Sequence, residues 1–183
     1  MSRIENRGKR AYRAKYQNLI KLKIFFRANT YTRIHIVFTV QNRECIILDA
    51  WKEELYKYIS GIIQNHKHKV LVINGITGHL NLLIGMRPTQ SLSDLMQNIK
   101  RESSKCINQK RFVKGKFSWQ EGYGAFSYGK SQINQVIDCI NNQEENHRKC
   151  TFLEEYKILL DKFEVDFDHR FIFQEVIYGI EKR

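Results

Sequence analysis

The sequence predicts an α+β domain, an antiparallel sheet with helices packed on one face, and three observations carry that expectation. Stretches of alternating apolar residues are interleaved with stretches of helical apolar spacing. Two further strand-like apolar runs are separated only by Thr77-Gly78, a hairpin signal. The single proline, Pro88, breaks the chain between a strand-like run and a helix-like one. At 183 residues the chain is long enough for one well-buried core and short for two full domains.

Each element has its own local reason. Residues 30–40, TYTRIHIVFTV, place Ile34, Ile36, Phe38 and Val40 on one face of a strand. From Asp49 the apolar positions Trp51, Leu55, Tyr58, Ile59, Ile62 and Ile63 keep helical spacing, with Glu53 and Glu54 toward the positive end of the dipole. KVLVINGI (69–76) and HLNLLIGM (79–86) are the hairpin strands. Ser91 with Asp94 three residues later resembles a capping box, and Leu92, Leu95, Met96, Ile99 and Cys106 line one face of the helix it opens. FSWQEGYGAFSY (117–128) reads as a strand interrupted by glycines. The order β-α-β-β-α-β is the split βαβ, or ferredoxin-like, arrangement, which leaves the second face of its sheet available. Two C-terminal helices follow, one capped by Ser131 and running to about residue 146, the other opened by a Thr151–Glu154 capping box and running through Phe163.

The net charge of +12 is unevenly placed. Residues 1–28 hold nine Lys/Arg against Glu5 and read as a basic N-terminal extension. The run 100–116, KRESSKCINQKRFVKGK, holds seven bases against Glu102. Its Lys100, Arg101, Lys105, Lys110, Arg111, Lys114 and Lys116, with Trp119 and Tyr123 just beyond, are the residue types that meet phosphates and stack on unpaired bases. A solvated basic surface is the alternative. Four scattered cysteines form no CxxC pair, no apolar run approaches the roughly 18 residues of a membrane span, and the N-terminus has no secretory h-region. A cytoplasmic protein is the expectation.

His79 and Asn81 raise a chemical question. They sit two residues apart on a strand, and so on one face of it. On the helix at 131–146, Cys139 and Gln143 stack four residues apart along the edge of the stripe Ile133, Val136, Ile137, Ile140. Each of these residues has an ordinary structural explanation when taken alone.

Taken together, GHLNLLIG, GMRPTQSLSDLMQNIK, FSWQEGYGAFSYGKS and VIDCINNQEENHRKCTFLEEY closely resemble the single-tyrosine HUH transposases of small bacterial insertion sequences and the REP-associated tyrosine transposases. The similarity runs from about residue 28 to 175, and implies a transposase-like domain over 29–175 with a tail at 176–183. It also implies a ferredoxin-like fold, a homodimer, and DNA transposition through binding of single-stranded DNA hairpins. In that family a His-hydrophobic-His strand supplies two metal ligands, and a helix supplies a tyrosine nucleophile and, four residues later, a glutamine ligand. A bound Mg²⁺ or Mn²⁺ polarises the phosphate while the tyrosine forms a 5′-phosphotyrosine.

By this resemblance the metal positions are His79, Asn81 and Gln143, and the nucleophile position is Cys139. Two of the four depart from the pattern. Asparagine offers only a neutral carbonyl oxygen to a hard cation. A cysteine is much shorter than a tyrosine, and a free thiol, with a pKa of roughly 8.5, is mostly protonated. The expectation is a transposase-family protein with impaired catalysis. The alternatives are an active enzyme using Cys139, Tyr123 or Tyr128, and a ferredoxin-like RNA- or single-stranded-DNA-binding module without strand-transfer chemistry.

Overall fold

The computed structural model describes residues 31–41, 46–148 and 150–167. The basic extension at 1–28, the tail at 176–183 and Cys45 lie outside them. The elements are β1 (Thr32–Thr39), α1 (Asp49–Asn65), β2 (Lys69–Ile76), β3 (His79–Met86), α2 (Leu92–Lys110), β4 (Gly124–Ser127), a 3₁₀ turn (Lys130–Gln132), α3 (Ile133–Asn141), α4 (Gln143–His147) and α5 (Phe152–Lys162). The strands form one antiparallel sheet in the order β2-β3-β1-β4, the ferredoxin-like order. No helix among the described residues is long and apolar enough to cross a membrane.

Strand periodicity divides the molecule into two layers. Even-numbered residues of β1 and β3 (Ile36, Phe38, Leu80, Leu82, Ile84, Met86) join Leu55, Ile59, Ile63, Leu95, Met96, Ile99 and Ile107 of α1 and α2 in the larger core. Odd-numbered Val37 and Leu83 join Phe126 and Tyr128 with Ile133, Val136, Ile140, Phe152, Tyr156 and Leu160 in a second core under α3 and α5. The second face of the sheet is therefore covered, not available, and every residue of β3 is buried. In β2 a bulge between Val70 and Val72 breaks the alternation, so that Leu71 and Val72 both pack toward the second core while Val70 and Ile73 serve the first.

Several local expectations are corrected. In α1 the buried tyrosine is Tyr56, whose hydroxyl donates to the Gly75 carbonyl at 3.3 Å, whereas Tyr58 is exposed. Tyr56 lies on the side of the stripe that faces β2, so the sheet covers it. The α2 stripe continues through Ser103 and Ile107, leaving Cys106 half-buried. The reason is Trp119, whose indole N–H donates to Ser103 Oγ at 2.8 Å and needs a small neighbour there. Ser91 does cap α2, accepting from the Asp94 N–H. Ser131 caps nothing: it lies inside the 3₁₀ turn, and Gln132 Oε1 accepts from the Gly129 N–H instead. The helix at 131–146 breaks at Asn142 into α3 and α4. The strand at 117–128 shrinks to β4 plus a single bridge between Trp119 and Val40, with Gly122 at φ 75° in between. The Thr151–Glu154 capping box forms as its spacing requires.

Candidate active site

The β1–β3 register places Thr39 opposite His79, Val37 opposite Asn81 and His35 opposite Leu83. His35, Thr39, His79 and Asn81 thus share the face covered by α3–α5, and all four are buried. A buried polar group must find a partner or cost stability. Asn81 finds His35: its Oδ1 lies 2.7 Å from His35 Nε2. The acceptor is a carbonyl oxygen, so Nε2 carries the proton, and Nδ1 is left buried without a partner. Burial holds the His35 pKa below its usual 6.5, the Asn81 hydrogen bond offsetting this in part.

That shift has a pH consequence. The unfolded histidine takes up a proton near pH 6.5 while the folded one does not, so stability is full above about 6.5 and falls as the pH drops toward the folded pKa. Acid titration of wild type should show this loss in equilibrium unfolding. His35→Gln, which retains an N–H donor for Asn81, should flatten it; an unaltered pH profile would assign the loss to another group.

A second network gathers around His79. Its Nε2 lies 2.8 Å from Gln143 Nε2 and 3.3 Å from His147 Nε2, which is in turn 3.3 Å from Glu155 Oε2. Phe152 packs on the His79 ring at a centroid distance of 4.1 Å. Gln143 is fully buried, and its Oε1 has no hydrogen-bond partner. The break at Asn142 makes this possible. Asn74 of β2 donates to the carbonyls of Ile140 and Asn141 at 2.8 and 3.2 Å, satisfying the end of α3 where the helix is interrupted. Glu144 is fastened to Lys52 of α1, which also pairs with Asp49. With both ends held, Gln143 turns inward and Cys139 outward.

Cys139 is exposed, and Asn146 donates to its carbonyl at 3.1 Å. Desolvation pushes the thiol pKa up, and the Glu155 carboxylate pushes it the same way, against a smaller pull from Lys162. Both leading effects oppose the thiolate that nucleophilic attack requires. Tyr128 is no better placed: it is buried in the second core, and burial raises its phenol to about 12.

His79, His147 and Glu155 each offer a ligand atom, all within 4.8 Å of one another. The donor set fits a divalent cation. His79 Nε2 carries either one lone pair or one proton, yet it faces two nitrogens, and swapping the Gln143 amide leaves a polar atom unsatisfied either way. Of the expected ligands, His79 and Gln143 meet, while Asn81 is paired with His35 instead. Sequence reasoning missed His35, His147 and Glu155. His147 carried a signal, four residues beyond Gln143 and eight beyond Cys139; Glu155 carried none, because only the fold-back of α5 brings it in.

The basic run lies on α2 and the loop after it. Lys105, Arg111, Lys114 and Lys116 are exposed, the last three around an open depression beside Gly115. Arg111 ends α2 in the left-handed conformation. Other members are engaged within the protein: Lys110 pairs with Glu54, and Arg101 with Glu102 and Asn98. Lys100 donates to the carbonyls of Gln120 and Gly122, and burial lowers its pKa to about 8. Tyr123 is half-buried, 6.0 Å from the Lys100 ammonium. Trp119 belongs to the core: it is edge-on to Phe38 and Phe117 and 7% exposed, so its faces are not offered to a base.

The family described as "Transposase IS200 like" matches residues 28–143. No curated protein matches the chain. A Deinococcus radiodurans R1 protein classed as a transposase is similar in structure over 64% of this chain and 95% of its own, with 18% identity and a TM-score of 0.51. A REP-associated tyrosine transposase bound to a REP hairpin is similar over 64% of this chain and 69% of its own, with 12% identity and a TM-score of 0.53. At these identities the two likenesses establish a shared fold. The family match is broader in meaning, because it spans the whole sheet, both packing helices, and α3 with Cys139 up to Gln143 just beyond the helix break. This chain therefore belongs to the IS200-like transposase family.

Proposed function

We propose that this protein binds hairpin-forming single-stranded DNA as a dimer, and that its capacity to cut and rejoin strands is impaired. Cys139 carries the second half of the reading. It stands one turn before the buried Gln143, where the chemistry needs a nucleophile with reach, and offers a short thiol whose pKa is pushed up by partial desolvation and by Glu155. A divalent cation, when bound beside His79 and Gln143, supplies positive charge to the non-bridging oxygens of a scissile phosphate. The chain's own residues supply the rest. Phe152 and the second core exclude water from behind His79, and Asn74 and Lys52 hold the helix break that aims Gln143 inward.

The DNA half is supported by the exposed cations and by the structural neighbour that carries a REP hairpin. Phosphate contacts release condensed counterions, so affinity should fall steeply with salt. Replacing Arg111, Lys114 and Lys116 together with Ala should weaken hairpin binding and reduce the log–log salt slope by about 2, at roughly 0.7 per phosphate lost on a single strand. Fluorescence anisotropy with a hairpin and an unstructured strand of equal length tests both points. Equal affinity for the two strands would reduce the protein to a non-specific binder, and an unaltered slope would place the phosphates elsewhere.

A further inference from the structure

His147 and Glu155 lie beyond the residues covered by the family match, yet they complete the His79 cluster. His147 Nε2 stands 3.3 Å from both His79 Nε2 and Glu155 Oε2. Donors bound to one ion at about 2.1 Å stand roughly 3.0–3.4 Å apart when they are neighbours in a tetrahedral or octahedral shell. In the absence of an ion the same spacing is poor chemistry. His147 Nε2 has one proton at most to share between a carboxylate and an imidazole, and Gln143 Oε1 is buried with no partner. An unsatisfied buried carbonyl is itself destabilising. A cation held by the facing lone pairs of the two imidazoles and by the carboxylate removes the proton conflict, and it offers the Gln143 oxygen a partner when the amide turns toward it.

Asn81 does not compete for this role, because its oxygen is held by His35. Access is available from the His147–Glu155 side, where the two side chains are 12% and 24% exposed, whereas His79 and Gln143 are 1% exposed. Two imidazoles suit borderline transition-metal ions. Mg²⁺ prefers oxygen donors in a near-ideal octahedron and gives up its water reluctantly.

We propose that His79, His147 and Glu155, with Gln143, form a site for a divalent transition-metal ion of the Zn²⁺ or Co²⁺ type, and that Asn81 is not among its ligands. This rests on reading the His79 face as the active site, and it changes the ligand set and the class of ion held there.

The test uses the full chain stripped with EDTA and titrated with Co²⁺, followed by its visible d–d absorption, with Zn²⁺ as competitor and Mg²⁺ in excess as control. One equivalent should bind, Zn²⁺ should displace it and Mg²⁺ should not. His147→Ala and Glu155→Gln should each weaken binding at least tenfold, while Asn81→Ala leaves it within about twofold. Melting in EDTA identifies any variant that fails to fold; His147→Gln then replaces His147→Ala. Wild-type affinity in both ligand variants would overturn the proposal, as would loss of binding in Asn81→Ala. So would a sulfur-to-cobalt charge-transfer band removed by Cys139→Ser. Hairpin binding measured in EDTA on the same protein keeps the two readings separate: cobalt bound without DNA affinity overturns the DNA reading alone, and DNA affinity without cobalt overturns this one alone.

Discussion

Cys139→Tyr should form a covalent adduct with single-stranded hairpin DNA in the presence of Mn²⁺, seen as a shifted band on a denaturing gel, where wild type forms none. The substitution acts at a position whose backbone is already fixed. Residue 139 is exposed at the end of α3, its carbonyl is fixed by Asn146, and the chain then breaks so that Gln143 enters the site. A phenol oxygen lies several ångströms farther from the backbone than a thiol. It points along the exposed edge, so the extra ring does not have to enter either core. The gain should be on the order of 10³-fold or more, the scale on which one member of a catalytic unit acts. Adding Asn81→His should contribute little if His147 and Glu155 already hold the ion. A wild-type adduct abolished by Cys139→Ser would make the thiol the nucleophile and end the impaired-enzyme reading. No adduct from Cys139→Tyr on DNA that it demonstrably binds would mean that the phosphate is presented elsewhere.

Gly75→Ala should be the most damaging small substitution in the sheet. A Cβ at this position would lie 2.4 Å from the His79 carbonyl oxygen and 2.5 Å from Leu80 Cδ2. The leucine methyl can move, but the carbonyl belongs to the β2–β3 ladder, in which Gly75 faces Leu80 and Ile76 faces His79. The hairpin must separate where it carries His79, and the Tyr56 hydroxyl that bonds to the Gly75 carbonyl moves with it. Overpacking of this kind costs about 3 kcal/mol, or roughly 6–12 °C in melting temperature for a chain of this size. Gly61→Ala is the internal control. Gly61 lies inside α1, and a Cβ there meets nothing within 4 Å. Replacing it should raise stability by up to about 1 kcal/mol through helix propensity and a less flexible unfolded chain. An unchanged melting temperature for Gly75→Ala would show that the β2–β3 turn adapts without separating the strands.

The sequence alone determined the first layer of this protein, the sheet face covered by α1 and α2. The period of β1 and β3 and the stripes of α1 and α2 are local patterns, and a period of 2 or 3.6 dictates which residues share a face wherever the element lies. The same locality made the Thr151 capping box, the hairpin and the pairing of His79 with Gln143 legible, the last through a motif resemblance. What only the tertiary structure decided concerns groups brought together from distant segments. Asn81 reaches its partner His35 across the β1–β3 register, and nothing within residues 79–86 says which side chain the neighbouring strand will offer. Trp119 looks like a base-stacking ring in its basic surroundings, and becomes a core residue because Ser103 on α2 leaves room for it and accepts its N–H. Glu155 enters the site because α5 folds back over the second face of the sheet, driven by Phe152, Tyr156 and Leu160 seeking cover against Phe126 and Tyr128. The physical reason is the same in each case. Periodicity fixes the direction a side chain takes from its own backbone, whereas its partner depends on burial satisfied across the whole chain.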